Sequence, residues 1–158
     1  DRLQVFYNID VDAAHVYIPR FILQPIVENA IVHGVETVKN GVIRLHVYHD
    51  DENVYLKVRN TGKKMTEEEL ERIHAILEGD ESRLPKNTGR HTSIGIQNVN
   101  RRIRLVYGDE YGLSIEQEEA CITVSTITIP YVDHEDEISL KERSEAQNEL
   151  KNIARLNK

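Results

Sequence analysis

The sequence predicts an α+β fold, a two-layer sandwich in which helices cover one face of a mixed, mostly antiparallel sheet. Several short segments alternate apolar and polar residues, as half-buried strands do. Other segments repeat apolar residues at helical spacing. Neighbouring strand-like segments are joined by tight turns, which favours antiparallel pairing. The resulting order is strand, helix, two strands, helix, long loop, helix and two strands, which is typical of a two-layer sandwich.

The first strand is predicted at 3–9, where the alternation indicates one buried and one exposed face. A helix is predicted from about 19 to 33, because apolar residues form a broad stripe there. Pro19 is acceptable in its first turn, where a missing N–H costs no hydrogen bond. Pro25 makes the early turns irregular. Gly34 is expected to cap the C-terminus of this helix.

Two strands are predicted next, at 42–49 and 54–59, and the residues between them form a plausible hairpin turn. The triplet Asn60-Thr61-Gly62 is a turn signal after the second of these strands. Thr66 is followed three residues later by Glu69, which is the pattern of a capping box. We therefore expect a second helix to begin immediately after Thr66.

A loop is predicted at 79–93, because the apolar periodicity disappears there and Gly, Pro, Ser, Thr and Asn accumulate. A loop of this length inside a compact domain is usually functional or disordered. It is followed by a helix at 95–107 and by a closing pair of strands at 113–116 and 122–129. Residues 133–158 are highly charged and are predicted to form a peripheral helix or a tail.

At 158 residues, with 39% apolar and 30% charged residues, the chain fits one soluble globular domain. We expect this domain at 1–132 and the charged C-terminal helix or tail at 133–158. No apolar run is long enough to cross a membrane, so we expect no membrane contact by this fragment. No signal peptide is visible. The single cysteine, Cys121, cannot form an internal disulfide, which suits a reducing compartment.

The net charge of −7 argues against a nucleic acid as the partner, because a phosphate backbone would be repelled. The best basic patch consists of Arg101, Arg102 and Arg104. Three arginines on one helix are more simply interpreted as a solvated face. We therefore expect no nucleic-acid binding.

One predicted helix carries polar residues within an apolar stripe. In QPIVENAIVHG, which spans 24–34, Glu28 and Asn29 lie between apolar residues, and His33 follows Asn29 by four positions. Helical spacing puts Asn29 and His33 on one face, with Glu28 on an adjoining stripe. The simpler interpretation is that Glu28 and Asn29 face solvent, since charged residues are seldom buried without a partner.

Two further segments are candidates for ligand binding, and each is weak by itself. Asn60-Thr61-Gly62 follows a strand, and a glycine there lets the backbone approach a ligand closely, although most such triplets are only turns. The loop that leads into SIGIQN, at 93–98, offers free N–H groups to phosphates, although many loops enter helices in this way.

Taken in order, these segments resemble the GHKL ATPase superfamily and, within it, the LytS/YesM-type sensor histidine kinases. The resemblance covers roughly residues 1–131, and its first block is the most specific. The blocks are IPRFILQPIVENAIVHG at 18–34, VRNTGKKM at 58–65 and SIGIQNVNRRIRLVYG at 93–108, and the last strand ends in ITIP.

The resemblance implies the Bergerat α/β sandwich and a site for ATP with Mg²⁺. In this family the residue that matches Asn29 binds the magnesium that bridges the ATP phosphates, which suits the preference of this cation for oxygen ligands. The position of Glu28 is that of the polarising carboxylate, so Glu28 is the expected catalytic residue. Asn60 would face the adenine amino group, and Gly62 would leave room for the base.

The other expected ATP-binding positions also come from the resemblance. Residues 79–94 correspond to a lid over the phosphates, and Gly95 corresponds to the start of the helix whose N-terminus faces them. The complete set of expected ATP-binding residues is Asn29, His33, Asn60, Gly62, Met65, Arg90, Ser93, Gly95 and Ile96.

Four positions depart from the pattern of the family. Its second block usually reads Asp-Asn-Gly-x-Gly, whereas this chain has Asn60 at the first position and Lys64 at the last. Asn60 can still accept a hydrogen bond from an adenine amine, but it carries no negative charge. Val32 stands where a lysine is frequent, and Ser93 stands where a glycine is common. These departures concern ATP affinity more than the fold.

The implied function is that of the ATP-binding catalytic domain of a bacterial two-component sensor histidine kinase. Such a domain transfers the γ-phosphoryl group of ATP to a histidine on an upstream segment of the same parent dimer, and the phosphate then passes to a response regulator. We expect a cytoplasmic domain of a receptor in the inner or plasma membrane. The family's Asn-Pro-His-Phe context of the phosphoacceptor is absent here, so we expect this chain to be a fragment.

Two alternatives stay open from the sequence. A degenerate, non-catalytic GHKL interaction domain of a signalling receptor would have the same fold, and the changes at Val32, Asn60 and Lys64 would mark a pocket without turnover. The other alternative is a GHKL ATPase or serine kinase that acts on a protein partner. The Gln-Pro and Val-Glu-Asn-Ala context argues against it.

Overall fold

Five strands form one mixed sheet in the computed structural model: β1 (Leu3–Ile9), β2 (Gly41–His49), β3 (Asn53–Thr61), β4 (Gly112–Glu118) and β5 (Ile122–Pro130). Their order across the sheet is β1-β2-β3-β5-β4. β1 runs parallel to β2, and the other neighbouring pairs are antiparallel. The predicted mixed, mostly antiparallel sheet is confirmed.

The structure describes residues 3–10, 16, 18–80, 91–118 and 121–131, except for the side chains of 91–94. The predicted tail at 133–158 and most of the predicted lid at 79–94 lie outside this part of the chain. Within it, no helix is both long enough and apolar enough to cross a bilayer.

Three α-helices pack on one face of the sheet: α1 (Gln24–Asn29), α2 (Glu67–Glu78) and α3 (His91–Tyr107). A π-helical turn at Ala30–Gly34 and a 3₁₀ turn at Val35–Thr37 extend α1. Along β3, buried residues alternate with half-buried ones, as expected for a sheet with one covered face. The core beneath the helices is aliphatic, and its most deeply buried side chains include Ile22, Ile26, Leu56, Ile103, Ile115, Ile127 and Ile129.

The first helix begins later than predicted, at Gln24 rather than near Pro19. Phe21 has a φ of 63°, which lies in the left-handed region and is incompatible with an α-helix. Pro25 consequently falls in the first turn of α1, where its missing N–H deprives the helix of no hydrogen bond. Pro25, and not Pro19, is therefore the proline that starts this helix.

The prediction that β1 is half buried is wrong, since all seven of its residues are exposed. Its register with β2 places Val5 opposite the buried Ile43, so Val5 lies on the side of the sheet that the helices cover elsewhere. Among the described elements, however, β1 has an extensive contact only with β2. The alternation of β1 therefore describes its two faces correctly, but neither face is buried by this part of the chain.

The predicted capping box is confirmed. The Glu69 N–H donates to Thr66 Oγ1 at 3.2 Å, and the Thr66 N–H donates to Glu69 Oε2 at 2.7 Å. α2 therefore begins at Glu67 and ends before Gly79, whose φ of 77° is a conformation that glycine adopts without strain. α3 begins at His91, earlier than the predicted start near Gly95.

Asn100 connects three elements of the core. Its side chain is 2% exposed and lies on the inner face of α3. Nδ2 donates to the Leu77 carbonyl at the end of α2 at 2.6 Å, and Oδ1 accepts from the Leu113 N–H of β4 at 2.8 Å. Because buried backbone groups need partners, this one amide satisfies two groups that would otherwise be left unpaired.

We expect Asn100→Ala to lower the free energy of unfolding by about 2–4 kcal/mol, because both the Leu77 carbonyl and the Leu113 N–H lose their buried partner. Urea denaturation followed by circular dichroism measures the change. Asn98→Ala is the matched control, since Asn98 lies on the same helix and is exposed. Equal stabilities for the two variants would contradict this role of Asn100.

Candidate functional site

A cavity of about 410 Å³ lies between the helices and the sheet. Its walls come from the end of α1 with the π-helical turn, from the loop between β3 and α2, from α2 and α3, and from the sheet. Segments that are distant in the sequence therefore meet at this cavity. Its lining includes Asn29, Val32, His33, Asn60, Lys63, Lys64, Met65, Glu69, Arg72, Ile73, Ile96 and Thr123.

The floor of the cavity is built around Asn60, which is 3% exposed at the end of β3. Its Nδ2 donates to the Thr61 carbonyl at 3.2 Å. A Cβ on Gly34 would overlap this Nδ2, and a Cβ on Gly62 would stand 2.9 Å from the Gly34 Cα. The three residues therefore interlock, and the fit requires a glycine at both 34 and 62.

The structure corrects the role that the sequence suggested for Gly34. Gly34 is not a left-handed cap, because its backbone has a φ of −103° and the chain continues into the 3₁₀ turn. Its carbonyl accepts a hydrogen bond from Thr37 Oγ1 at 2.6 Å. Glycine is needed here because the side chain of Asn60 occupies the space of a Cβ. Gly62 is buried beside it, and its N–H donates to the Cys121 carbonyl at 2.9 Å.

Asn29 and His33 both line the cavity, as does Val32. Asn29 is the last residue of α1, and His33 lies in the π-helical turn. The side chain of Val32 is 52% exposed and offers neither a charge nor a hydrogen bond. The polar side chains that α1 and the π-helical turn contribute to the lining are therefore the Asn29 amide and the His33 imidazole.

Glu28 is exposed on α1 and is not among the residues that line the cavity. Gln24 Nε2 donates to its Oε1 at 2.8 Å. Its carboxylate thus lies on the outer surface of the helix, next to the wall that carries Asn29. The catalytic role expected for Glu28 stays a prediction.

The opposite wall carries an excess of positive charge from Lys63, Lys64 and Arg72. Its acid is Glu69, which is held in the capping box. The Thr66 N–H keeps the pKa of Glu69 below its usual value, with further contributions from the Thr66 hydroxyl and from the charges of Lys63 and Arg72. Glu69 therefore offsets one of the three positive charges, and the remaining positive charge of this described wall favours an anionic ligand.

Gln117 of β4 holds the loop that contains these cations. Its Oε1 accepts a hydrogen bond from the Met65 N–H at 2.9 Å, and its Nε2 donates to the Lys63 carbonyl at 3.4 Å. Met65 is half-buried and lines the cavity. The loop is therefore anchored to the sheet on both sides of Lys64.

On the α3 side, Ile96 lines the cavity. Gly95 does not open the helix as expected, because α3 begins at His91; a Cβ on Gly95 would lie 3.6 Å from the Cβ of Pro25. Ser93 belongs to the first turn of α3, and its side chain lies outside the described atoms. Arg90 lies outside the described residues.

The fit of a metal ion depends on the oxygen ligands present. Among the described residues, no group of three His, Cys, Asp or Glu side chains could hold a metal by itself. The amide oxygen of Asn29 is a suitable ligand for Mg²⁺, which usually takes one or two protein oxygens and completes its shell with phosphates and waters. The lining thus fits a magnesium ion that enters together with a phosphate ligand.

Sequence reasoning missed several residues of this site. Arg72, Ile73 and Ile76 share the inner face of α2 with Glu69, and helical spacing from the capping box could have found them. Gln117 and Thr123 could not have been found in this way. They reach the site through the register of β4 and β5, which only the folded sheet defines.

The family described as histidine kinase-, DNA gyrase B- and HSP90-like ATPases matches residues 18–133. Sensor histidine kinase YpdA of Escherichia coli (strain K12) is 37% identical over 120 residues, which are 75% of this chain and 19% of YpdA. Sensor protein LytS of Staphylococcus haemolyticus is 35% identical over 126 residues, which are 79% of this chain and 20% of LytS. The chain thus spans about a fifth of the length of these relatives.

The fold resembles that of the catalytic domain of histidine kinase ThkA in its nucleotide-free form. The TM-score is 0.57 at 23% sequence identity, and the match covers 82% of this chain and 81% of that domain. ThkA in complex with the response regulator protein TrrA gives a TM-score of 0.53 at 19% identity, over 82% of this chain and 34% of the ThkA chain. At these identities the likeness concerns the fold, which agrees with the predicted sandwich.

We expect Gly34→Ala to lower the free energy of unfolding by about 1–3 kcal/mol, because the new methyl group overpacks against Asn60. Gly95→Ala is the control, since its methyl group meets only ordinary contact distances and a helix interior gains up to about 1 kcal/mol from this change. Thermal unfolding compares the two. A Gly34→Ala variant as stable as the wild type would show that the interlock tolerates a side chain.

Proposed function

Because the chain belongs to the family of histidine kinase-, DNA gyrase B- and HSP90-like ATPases, we propose that its cavity binds ATP together with Mg²⁺ and that the chain is the catalytic domain of a sensor histidine kinase. The observation that carries this proposal is the cavity itself. It combines a buried hydrogen-bonding floor, apolar walls, a candidate magnesium ligand and an excess of positive charge.

The adenine base is assigned to the floor at Asn60. Since Nδ2 of Asn60 is engaged by the Thr61 carbonyl, the amide presents Oδ1 as an acceptor, and the exocyclic amine of adenine is a matching donor. A buried acceptor discriminates against a base that has a carbonyl at this position, because two acceptors would then face each other. Ile73, Ile96 and Ile115 supply apolar surface for the rings.

The phosphates are assigned to the space between Asn29 and the cations of the opposite wall. Asn29 would contribute one oxygen ligand to Mg²⁺, which neutralises charge on the transferring phosphoryl group when it is bound. Lys63, Lys64 and Arg72 supply positive charge that Val32 does not. This distribution explains how the pocket can bind a triphosphate without a lysine at position 32.

The phosphoryl acceptor would be a histidine outside this chain, on an upstream segment of the parent dimer. Glu28 is suited to act on such a group, because its carboxylate is exposed beside the cavity rather than inside it. It would accept the proton from one N–H of the incoming imidazole. The other ring nitrogen would then attack the γ-phosphorus while ADP leaves.

The later steps and the location rest on relatives. The phosphate is proposed to pass from the histidine to a response regulator, the class of protein with which ThkA forms its complex. The relatives are a sensor histidine kinase and a sensor protein, and we propose that this chain is part of a longer protein of the same kind. We propose that it is the cytoplasmic domain of a receptor in the inner or plasma membrane.

Calorimetric titration with a non-hydrolysable ATP analogue tests the binding site. We expect magnesium-dependent binding with a Kd of about 1 mM or tighter. Asn29→Ala should weaken the affinity measured in the presence of magnesium by about tenfold or more, which is about 1.4 kcal/mol. Asn98→Ala, on the exposed face of α3, should bind the analogue as the wild type does. Unchanged binding by a folded Asn29→Ala variant would contradict the assignment of the metal ligand.

A transfer assay with a phosphoacceptor segment from the parent protein tests the catalytic residue. Glu28→Gln keeps the hydrogen-bonding shape but cannot take a proton, so we expect nucleotide binding to persist while transfer slows by about 100-fold or more. Gln24→Ala is the control for loss of the Gln24–Glu28 contact. Tight ATP binding without any transfer by the wild type would instead favour the non-catalytic interaction domain.

A further inference from the structure

β1 is an edge strand of the described sheet, and the usual protections of an edge are missing from it. Exposed edges are normally blunted by charged residues, prolines or bulges, because their free N–H and C=O groups otherwise pair with another chain. The sequence of β1, LQVFYNI, contains neither charge nor proline. Val5 is 57% exposed and Tyr7 is 77% exposed. Among the residues that the structure describes, no strand pairs with this edge, and its side chains are exposed.

The opposite edge of the same sheet is built differently. β4 begins with a glycine and carries Ser114, Glu116 and Glu118 as exposed residues on its outer side. Glu118 forms a salt bridge with Arg59, and the exposed carboxylate of Glu116 opposes pairing with a second copy of the same strand. One edge of the sheet is thus protected against pairing with itself, whereas the other is not.

The backbone direction of β1 follows from a hydrogen bond just beyond its end. The Asp10 N–H donates to the Val47 carbonyl at 2.9 Å and therefore points toward β2. Because both backbone groups of a strand residue point to one side and successive residues alternate, Phe6 and Asn8 also point toward β2. Val5 and Tyr7 consequently direct their N–H and C=O groups to the open edge.

We propose that β1 pairs in antiparallel orientation with β1 of a second copy of this chain, about a twofold axis at Phe6. In this register Val5 and the partner's Tyr7 form a hydrogen-bonded pair, which uses the backbone groups that point outward. Phe6 and the partner's Phe6 form a non-hydrogen-bonded pair with Cα atoms about 4.5 Å apart. The two sheets then continue as one.

The partner is a second copy because this register is self-complementary. Leu3 meets the partner's Ile9, and Gln4 meets the partner's Asn8, so apolar residues face apolar ones and amides face amides. No charge of β1 is brought against its own copy, although the whole chain carries a net charge of −7. Like charges placed opposite each other would have opposed the pairing.

The surface around the strand enlarges the contact. Leu3, Val5, Phe6, Tyr7 and Ile9 are between 37% and 77% exposed. Over two copies the exposed area of these side chains is on the order of 1,000 Å², which is an upper limit on what the paired edges can bury. Ile9 also borders a second cavity of about 550 Å³, whose other walls include Val16, Ile18 and Phe21. The apolar surface therefore extends beyond the strand toward α1.

Cysteine cross-linking tests the register. Cys121 is exposed, so Cys121→Ser is the background. In that background Phe6→Cys should form a disulfide-linked dimer under mild oxidation, because the facing Cα atoms lie within the separation that a disulfide spans. Asn8→Cys, on the same face of the same strand, should form little disulfide-linked dimer, since the two copies of that position lie about 14 Å apart in the proposed pair. Equal cross-linking of both variants, or of neither, overturns the proposed pairing.

Sedimentation equilibrium tests the pairing without cysteines. The wild-type chain should self-associate as its concentration rises, and Val5→Lys should weaken this association at least tenfold while circular dichroism stays unchanged. Ser114→Lys, on the opposite edge strand, should associate as the wild type does. A wild-type chain that stays monomeric up to millimolar concentration, or a Val5→Lys variant that associates normally, overturns the proposal.

Discussion

The close approach of Gly34, Asn60 and Gly62 is the constraint on which the candidate site depends. It brings the end of the first helical segment against the end of the central strand β3, with no side chain at either glycine. The side-chain amide of Asn60 is buried there, and its Nδ2 donates a hydrogen bond to the Thr61 carbonyl. Gly34 and Asn60 both line the cavity, so this contact forms part of its floor. Asn29 and His33 lie in the same helical segment as Gly34, and they line the same cavity.

A second set of polar contacts keeps the far wall of the cavity in place. Asn100 joins α2, α3 and β4 through buried backbone groups. Gln117 fixes the loop that carries Lys63 and Lys64. These amides hold elements whose apolar packing alone would allow them to slide, since dispersion and hydrophobic contacts have little directionality. The geometry of a ligand site thus rests on a few amides, and the stability of the domain rests on the aliphatic core.

The helices cover the central strands of the sheet but not the edge strand β1. Its central strands are buried on one face, where α1, α2 and α3 pack. β1 lies outside this cover, and its apolar side chains are exposed on the face where those of β2 are buried. An alternating pattern indicates which residues share a face, but it does not indicate whether anything covers that face. For this reason the prediction that β1 is half buried was wrong.

The sequence by itself determined the number, type and order of the described elements, because apolar periodicity and capping residues act locally. The capping box at Thr66 and Glu69 is an example, since both partners lie within one turn. The sequence also determined the family, through the contiguous block at 18–34, which ends in α1 and the π-helical turn. Only the tertiary structure decided that Gly34 accommodates Asn60 instead of capping a helix, and that Asn29 lines the cavity whereas Glu28 faces outward. Only the tertiary structure brought Arg72, Gln117 and Thr123 to the site. These properties depend on strand register and on the approach of distant segments, which no local pattern encodes.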